Sequence, residues 1–116
     1  MLYQYTAQIT AAHDGDTITA NIDLGFKNWR MEEKLRLFGI NTPELRGDTM
    51  QAAIAARDFL RGLVLNKTVR IETLKDKQEK YGRYLAKIYV EIEGKEVFVN
   101  DLMIEKGFAV AYMADN

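Results

Sequence analysis

The 116 residues contain no cysteine, one histidine and one proline. Without cysteine there is neither a disulfide framework nor a thiolate metal site, and an intracellular setting is permitted. His13 is the sole imidazole, so a site built from several histidines of this chain is excluded and zinc is a poor fit. No apolar run approaches the ~20 residues that span a bilayer, and residues 1–5 lack a basic stretch followed by an apolar one. The expectation is a soluble, cytoplasmic protein that does not enter a membrane. An excess of one charge is missing too. Sixteen basic residues stand against 17 acidic ones, a net charge of −1, which does not suit a protein that coats duplex DNA through counterion release. Any handling of nucleic acid belongs in a local cleft.

What is present is a chain that is 47% hydrophobic, long enough for one core, with no repeat or linker, so residues 1–116 read as a single domain. Tyr3, Tyr5, Ala7, Ile9 and Ala11 alternate with Gln4, Thr6, Gln8 and Thr10, the period of a half-buried strand. Asp14-Gly15-Asp16 is turn chemistry, and Ile18, Ala20, Ile22 and Leu24 alternate beyond it as a second, antiparallel strand. Residues 25–30 read as a loop. Leu35, Leu37 and Gly39 then alternate with Arg36, Phe38 and Ile40 in a third strand that Pro43 should end. Asp48 as N-cap, with Gln51 three places on, opens the main helix through Ile54, Phe59, Leu60, Leu63 and Val64. Residues 68–74 and 85–90 read as strands, residues 75–83 as a charged loop, and Gly94 as a hairpin turn. Asn100 is placed to cap a short helix that Gly107 stops. The fold class is therefore α+β and rich in β-barrel: a five-stranded OB-fold barrel with a helix between strands 3 and 4 and a short helix near the C-terminus.

Three stretches carry chemistry: Asp14-Gly15-Asp16-Thr17, residues 36–44 with Arg36, Asn41, Thr42 and Glu44, and Tyr81-Gly82-Arg83. Together they supply carboxylates, an amide and two arginines, the inventory of metal-assisted phosphodiester cleavage. A hard cation takes oxygen ligands, a hydrolytic water needs a base, and charge gathering on a pentacoordinate phosphorus needs guanidinium donors. Each fragment also has an ordinary reading. Asp-Gly-Asp favours turns, Thr42-Pro43-Glu44 terminates a strand, and Tyr81-Gly82-Arg83 makes a tight turn. Arg36 alternates away from Leu35 and Leu37 and faces either a cleft or bulk solvent. Trp29, flanked by Lys27 and Arg30, has two readings, a platform for a single-stranded base or a loop tryptophan covering the barrel, and the second is the commoner case.

Taken in order with Leu35-Arg36-Leu37, Asn41-Thr42-Pro43-Glu44, Lys80-Tyr81-Gly82-Arg83, Leu85-Ala86, Ile88-Tyr89, and Val99-Asn100 through Gly107 to Ala111-Tyr112, the motifs resemble the staphylococcal nuclease family of calcium-dependent nucleases. The resemblance implies that Asp16, Asn41 and the backbone carbonyl of Thr42 hold a calcium ion, Ca2+, and that Glu44 activates or orients the attacking water. It implies that Arg36 and Arg83 grip the phosphate and stabilise the transition state, while Lys80, Tyr81 and Tyr112 line the nucleotide pocket. The implied activity is hydrolysis of DNA and RNA with little sequence preference, favouring single strands and releasing 3′-phosphorylated ends.

The chain departs from the family in four places. Asn41 stands where the best-known members carry an aspartate, which predicts weaker calcium binding. Residues 45–48 form a short loop where those members have a longer, lysine-bearing one, and Met113 follows Tyr112 where a second pocket tyrosine is usual. The family's third helix has no counterpart here, so the expectation is a monomer with a bared patch or a dimer that covers it. The alternative to an enzyme is a nuclease-like OB module that binds nucleic acid or a protein partner after losing its metal. Retention of Asp16, Glu44, Arg36 and Arg83 weighs against it, because a carboxylate beside a bound phosphate is repulsive.

Overall fold

Period-two alternation over the first quarter of the chain builds a long antiparallel hairpin. The computed structural model describes residues 2–112. In it, β1 (Leu2–Asp14) pairs with β2 (Thr17–Gly25), Ala7 opposite Ile22 and Ala12 opposite Ile18. A bulge between Ile9 and Ala11 adds one residue and reverses the parity of the strand, so Ala7 and Ile9 are buried before it and Ala12 after it. Ala11, expected on the inner face with Ile9, is displaced from it by this bulge.

β2 passes into β3 (Asn28–Leu37) through Phe26-Lys27, with Gly25 opposite Asn28. Both turn residues have positive φ, 56° and 63°, the two-residue turn that matches strand twist and ordinarily takes Asn-Gly. Residues 28–30 are thus strand rather than loop, and Trp29 stands on it 41% exposed. Farther along, Met31 and Glu32 together oppose Asn21. Glu32 adopts φ 52°, and its amide donates to Asn21 Oδ1 at 2.9 Å. β3 ends at Leu37, earlier than expected, because Gly39 at φ 81° turns the chain into the short β4 (Ile40–Asn41).

β5 (Thr68–Gln78) and β6 (Tyr84–Ile92) follow the main helix. β5 runs four residues past its expected end, so the charged segment is a strand through Gln78 and a turn only from there. The hydrogen-bonded order is β3-β2-β1-β5-β6, and a parallel pairing of Leu35–Leu37 with Tyr84–Ala86 closes these five strands into a ring. Glu93-Gly94 turns β6 into β7 (Lys95–Phe98), and β8 (Val110–Ala111) pairs with β4. The architecture is an OB-like α+β barrel with two helices, α1 (Met50–Val64) and α2 (Val99–Glu105).

Ile9, Ile18, Leu35, Leu37, Ile71 and Ile88 fill the barrel, and Ala56, Leu60 and Val64 of α1 with Val99 and Met103 of α2 close over it. Each of these side chains larger than alanine stabilises the fold by about 1.5–3 kcal/mol on burial. Two expected caps act otherwise. Asp48 lies in a 3-10 turn, Gly47–Thr49, ahead of α1, and the helix has no side-chain cap; Thr49 Oγ1 instead donates to the Glu44 and Arg46 carbonyls. Asn100 sits inside α2, 1% exposed, where its Oδ1 accepts the Ile88 amide and its Nδ2 donates to the Phe38 and Ala86 carbonyls. It ties the helix to β6 and to the turn that leads into β4. Among the described residues, no helix is long and apolar enough to cross a membrane.

Candidate active site

All nine residues singled out by motif line one cleft of about 720 Å³: Asp16, Arg36, Asn41, Thr42, Glu44, Lys80, Tyr81, Arg83 and Tyr112. Two residues that motif reading left unassigned, Asp14 and Glu79, line it as well.

The β1–β2 turn supplies the acidic floor. Asp14 Oδ1 accepts the Asp16 amide at 3.0 Å, an Asx turn that folds the two carboxylates to one side. Gly15 between them has an ordinary φ, and its glycine identity has another cause. A Cβ there would lie 2.8 Å from Ala56 Cβ of α1 and 2.8 Å from Thr42 Cγ2. The absent side chain lets the helix and the Thr42 segment close on the turn. Asp16 is 6% exposed; its Oδ2 accepts the Thr42 amide at 3.0 Å and its Oδ1 the Thr17 hydroxyl at 3.2 Å.

The two carboxylates are driven apart in acidity. Burial and the neighbouring Asp16 charge push Asp14 up to about 6. Burial pushes Asp16 upward too, but hydrogen bonding with Asp14, the Arg36 charge and the Thr42 amide hold it below the ordinary carboxylate range. One acid of the pair keeps its charge and the other titrates near neutrality.

Arg36 points into the cleft, which settles the choice that alternation left open. Its Nη1 lies 2.7 Å from Asp16 Oδ2, and its Nη2 donates to the Ile40 carbonyl and to Asn41 Oδ1 at 3.1 and 3.2 Å. The guanidinium carbon stands 5.8 Å from the centre of the Tyr112 ring, and the Tyr112 amide is anchored on the Gly39 carbonyl. Glu44 occupies the rim. It pairs with Arg46, and the two side chains are 66% and 81% exposed.

Arg83 enters from the turn after β5 and is held by Glu79, whose side chain is 7% exposed. Glu79 Oε1 accepts the Tyr81 and Arg83 amides and Arg83 Nε, and Oε2 accepts Arg83 Nη2. Hydrogen bonding to Arg83 holds the Glu79 carboxyl below the ordinary carboxylate range, and the same contact pushes the Arg83 guanidinium upward. Arg83 Nη1 reaches across to Thr17 Oγ1 at 3.1 Å, beside Asp16. Tyr81 is 71% exposed, with Lys80 Nζ 5.1 Å and the Arg83 guanidinium carbon 5.5 Å from its ring centre. Both unassigned acids had a signal in the sequence: Asp14 is the first member of the Asp-Gly-Asp turn, and Glu79 precedes Arg83 by four residues.

The donors facing the cleft are oxygens, namely the Asp14 and Asp16 carboxylates, the Asn41 amide and the rim carboxylate of Glu44. That chemistry suits a hard cation such as calcium and no soft one. Among the described residues, no three histidine, aspartate or glutamate side chains are grouped to hold a metal. A cation here would take its remaining ligands from amide or backbone oxygen, water and phosphate.

The Staphylococcal nuclease homologue model matches residues 34–116. The chain is 32% identical to the thermonuclease of Staphylococcus hyicus over 111 residues, covering 93% of this chain and 60% of that protein. It is 34% identical to the thermonuclease of Staphylococcus intermedius over 101 residues, covering 84% and 54%. An uncharacterized protein of Methanocaldococcus jannaschii is 26% identical over 132 aligned residues, covering 96% and 61%. The chain thus spans between 54% and 61% of the length of these relatives. With the barrel, the acidic turn and the two cleft arginines in place, the chain belongs to the staphylococcal nuclease family.

Proposed function

We propose that the protein is a calcium-dependent nuclease hydrolysing phosphodiester bonds of DNA and RNA with low sequence preference, as one domain acting in the cytoplasm. The observation that carries this reading is the convergence of Arg36 and Arg83 on the turn at Asp16-Thr17, one through Asp16 Oδ2 at 2.7 Å and the other through Thr17 Oγ1 at 3.1 Å. Two guanidiniums beside paired carboxylates suit a site that holds a phosphate and a cation together and serve no evident purpose in the barrel.

In this reading Arg36 and Arg83 bind the non-bridging phosphate oxygens and stabilise the charge that builds there. Asp14, Asp16, Asn41 and the Thr42 carbonyl would hold calcium, which would supply positive charge to the bound phosphate. Glu44 takes the proton of a water whose oxygen bonds to phosphorus. The bond from phosphorus to the departing sugar oxygen breaks, that oxygen takes up a proton from solvent, and the phosphate stays on the 3′ side. Lys80, Tyr81 and Tyr112 contact the nucleotide, and unstacked single strands enter most readily.

Glu44 favours a second reading, a binding module that has lost its chemistry, because it is turned to the rim and paired with Arg46. Heat-denatured DNA incubated with calcium, with chelator, and with the Glu44→Gln variant separates the two. Calcium-dependent cleavage that falls about 10²–10⁴-fold in the variant is the expected result for the enzyme. Metal-independent binding with no cleavage at any calcium level would assign the module instead.

A further inference from the structure

The tip of the β2–β3 hairpin lies outside the cleft and carries Leu24, Phe26, Trp29 and Met31 in solvent, 48%, 99%, 41% and 61% exposed. Residues 24–31 include two cations, Lys27 and Arg30, and no acid. Of the flanking acids, Asp23 Oδ1 accepts the Gly25 amide at 2.8 Å and Glu33 pairs with Arg30 at 2.8 Å, while Glu32, next to Met31, is exposed and gives its amide to Asn21 Oδ1. Phe26 holds a left-handed φ of 56°, a position suited to asparagine or glycine, while its ring is almost wholly in water. Neither turn formation nor core packing accounts for a phenylalanine there. A residue that opposes both local preference and burial points to a ligand.

The hairpin begins at the cleft, where Thr17 pairs with Arg36, and it ends at Gly25. Eight steps of about 3.3 Å place the tip up to ~26 Å along the strand from the arginines. A polynucleotide held at the cleft and running along this hairpin meets the tip several nucleotides away. Exposed rings interleaved with cations are the means by which proteins hold single strands without reading sequence: bases stack on the rings and cations meet phosphates.

We propose that the hairpin tip is an accessory binding site for single-stranded nucleic acid, with Phe26 and Trp29 stacking bases and Lys27 meeting the backbone. The choice of nucleic acid over a lipid surface rests on the phosphodiesterase reading of the cleft and on the continuity of β2 and β3 from cleft to tip.

Trp29 is the only tryptophan in the chain, so its emission reports on the tip directly. The experiment titrates a 16-nucleotide oligothymidylate into the protein in chelator, where no calcium-dependent cleavage occurs, and repeats it with Phe26→Ala. The expected result is quenching of Trp29, with affinity about 5–150-fold weaker in the variant, the range of one lost stacking contact. Phe26 packs on nothing, so the variant should unfold at the same urea concentration as the parent, and that equality separates a binding role from a structural one. Absence of quenching, or equal affinity in the two proteins, would overturn the proposal. So would a blue shift of Trp29 on phosphatidylcholine–phosphatidylglycerol vesicles with no response to the oligonucleotide, which would assign the tip to a membrane surface. Quenching without cleavage at any calcium level leaves the accessory site standing and rejects the nuclease; cleavage without quenching does the reverse.

Discussion

Arg36 Nη1 stands 2.7 Å from Asp16 Oδ2, with the two side chains 12% and 9% exposed. The contact is a charge pairing rather than an aligned hydrogen bond, since Nη1 has no hydrogen-bond partner. The same carboxylate oxygen also accepts the Thr42 amide, so Asp16 is at once the counter-ion of Arg36 and the anchor of the segment that carries Asn41. A phosphate reaching Arg36 competes with Asp16, and a cation reaching Asp16 frees Arg36. The two ligands of the proposed reaction therefore assist one another through a single ion pair.

Replacing Arg36 with methionine keeps most of the side-chain bulk and leaves Asp16 buried without its cation, beside Asp14. Breaking one half of a buried pair costs about 3 kcal/mol, so urea unfolding should show a loss of that size in the absence of metal. Calcium should restore part of the loss in this variant, because it replaces the missing positive charge. A variant as stable as the parent would show that the pair contributes little.

Asp14 should govern stability near neutral pH. Its folded value of about 6 lies above the ordinary 3.8, so the folded protein holds this proton more tightly than the unfolded chain does. The resulting stability is complete below about pH 3.8, declines as pH rises through 6, and is absent above it. Asp16, shifted the other way, contributes above the ordinary value and loses its contribution as pH falls through its lower folded value. Asp14→Asn keeps an oxygen to accept the Asp16 amide and removes the charge that titrates. A tenfold difference in proton affinity between the folded and unfolded chain is worth about 1.4 kcal/mol, and solvent screening at this half-buried turn reduces the whole effect to about 1 kcal/mol. Denaturant unfolding should therefore find the variant about 1 kcal/mol more stable at pH 7.5 and equal to the parent near pH 4. A difference that persists at low pH would place its origin elsewhere.

The strand alternation and the helix between the third and fourth barrel strands were legible in the sequence, because burial period and turn chemistry are local, whereas the nine residues that share the cleft were singled out by the resemblance of their motifs to the family. What escaped was non-local. The bulge at Ile9–Ala11 that reverses inward parity and the extra residue at Met31-Glu32 are set by the partner strand, which a pattern along one strand does not register. Asn100 has the composition of a cap, yet it acts as a buried strut because three backbone groups from two other segments converge on it. Glu79 was lost in a run of charges whose ordinary fate is solvent. Only the fold of the 79–83 turn shows that its carboxylate accepts four hydrogen bonds, all from Tyr81 and Arg83.

Asn41 sets the charge of the proposed cation site. Its Oδ1 already accepts from Arg36, which orients the amide oxygen toward the cleft and lets an aspartate take the same place. Asn41→Asp adds a ligand charge, and calorimetric titration should show calcium binding tighter by on the order of tenfold, since ligand charge count is a main control of calcium affinity. Without calcium the third acid beside Asp14 and Asp16 should lower stability, with Arg36 offsetting part of the repulsion. Unchanged or weaker affinity would remove Asn41 from the ligand set.

Gly15 tests whether the cleft depends on the close seating of α1. Its φ is ordinary, so alanine is allowed by the backbone and should gain about 0.4–1 kcal/mol from a less flexible unfolded chain. Against that, the new Cβ would meet Ala56 Cβ at 2.8 Å and the Thr42 side chain at 2.8 Å. Ala56 has no torsion with which to retreat, so α1 or the acidic turn must shift, and overpacking of this kind costs about 1–3 kcal/mol. Gly15→Ala should thus destabilise on balance and weaken calcium binding along with it, because Thr42 and Asp16 are displaced together. Ala56→Gly removes the obstructing methyl at a helix cost of about 1 kcal/mol. In the double variant part of the loss should return, giving a coupling of at least about 0.5 kcal/mol in a double-mutant cycle read by urea unfolding. Strict additivity would mean that the turn and the helix do not press on one another at this point, and the reason for a glycine between the two carboxylates would have to be sought in the turn itself.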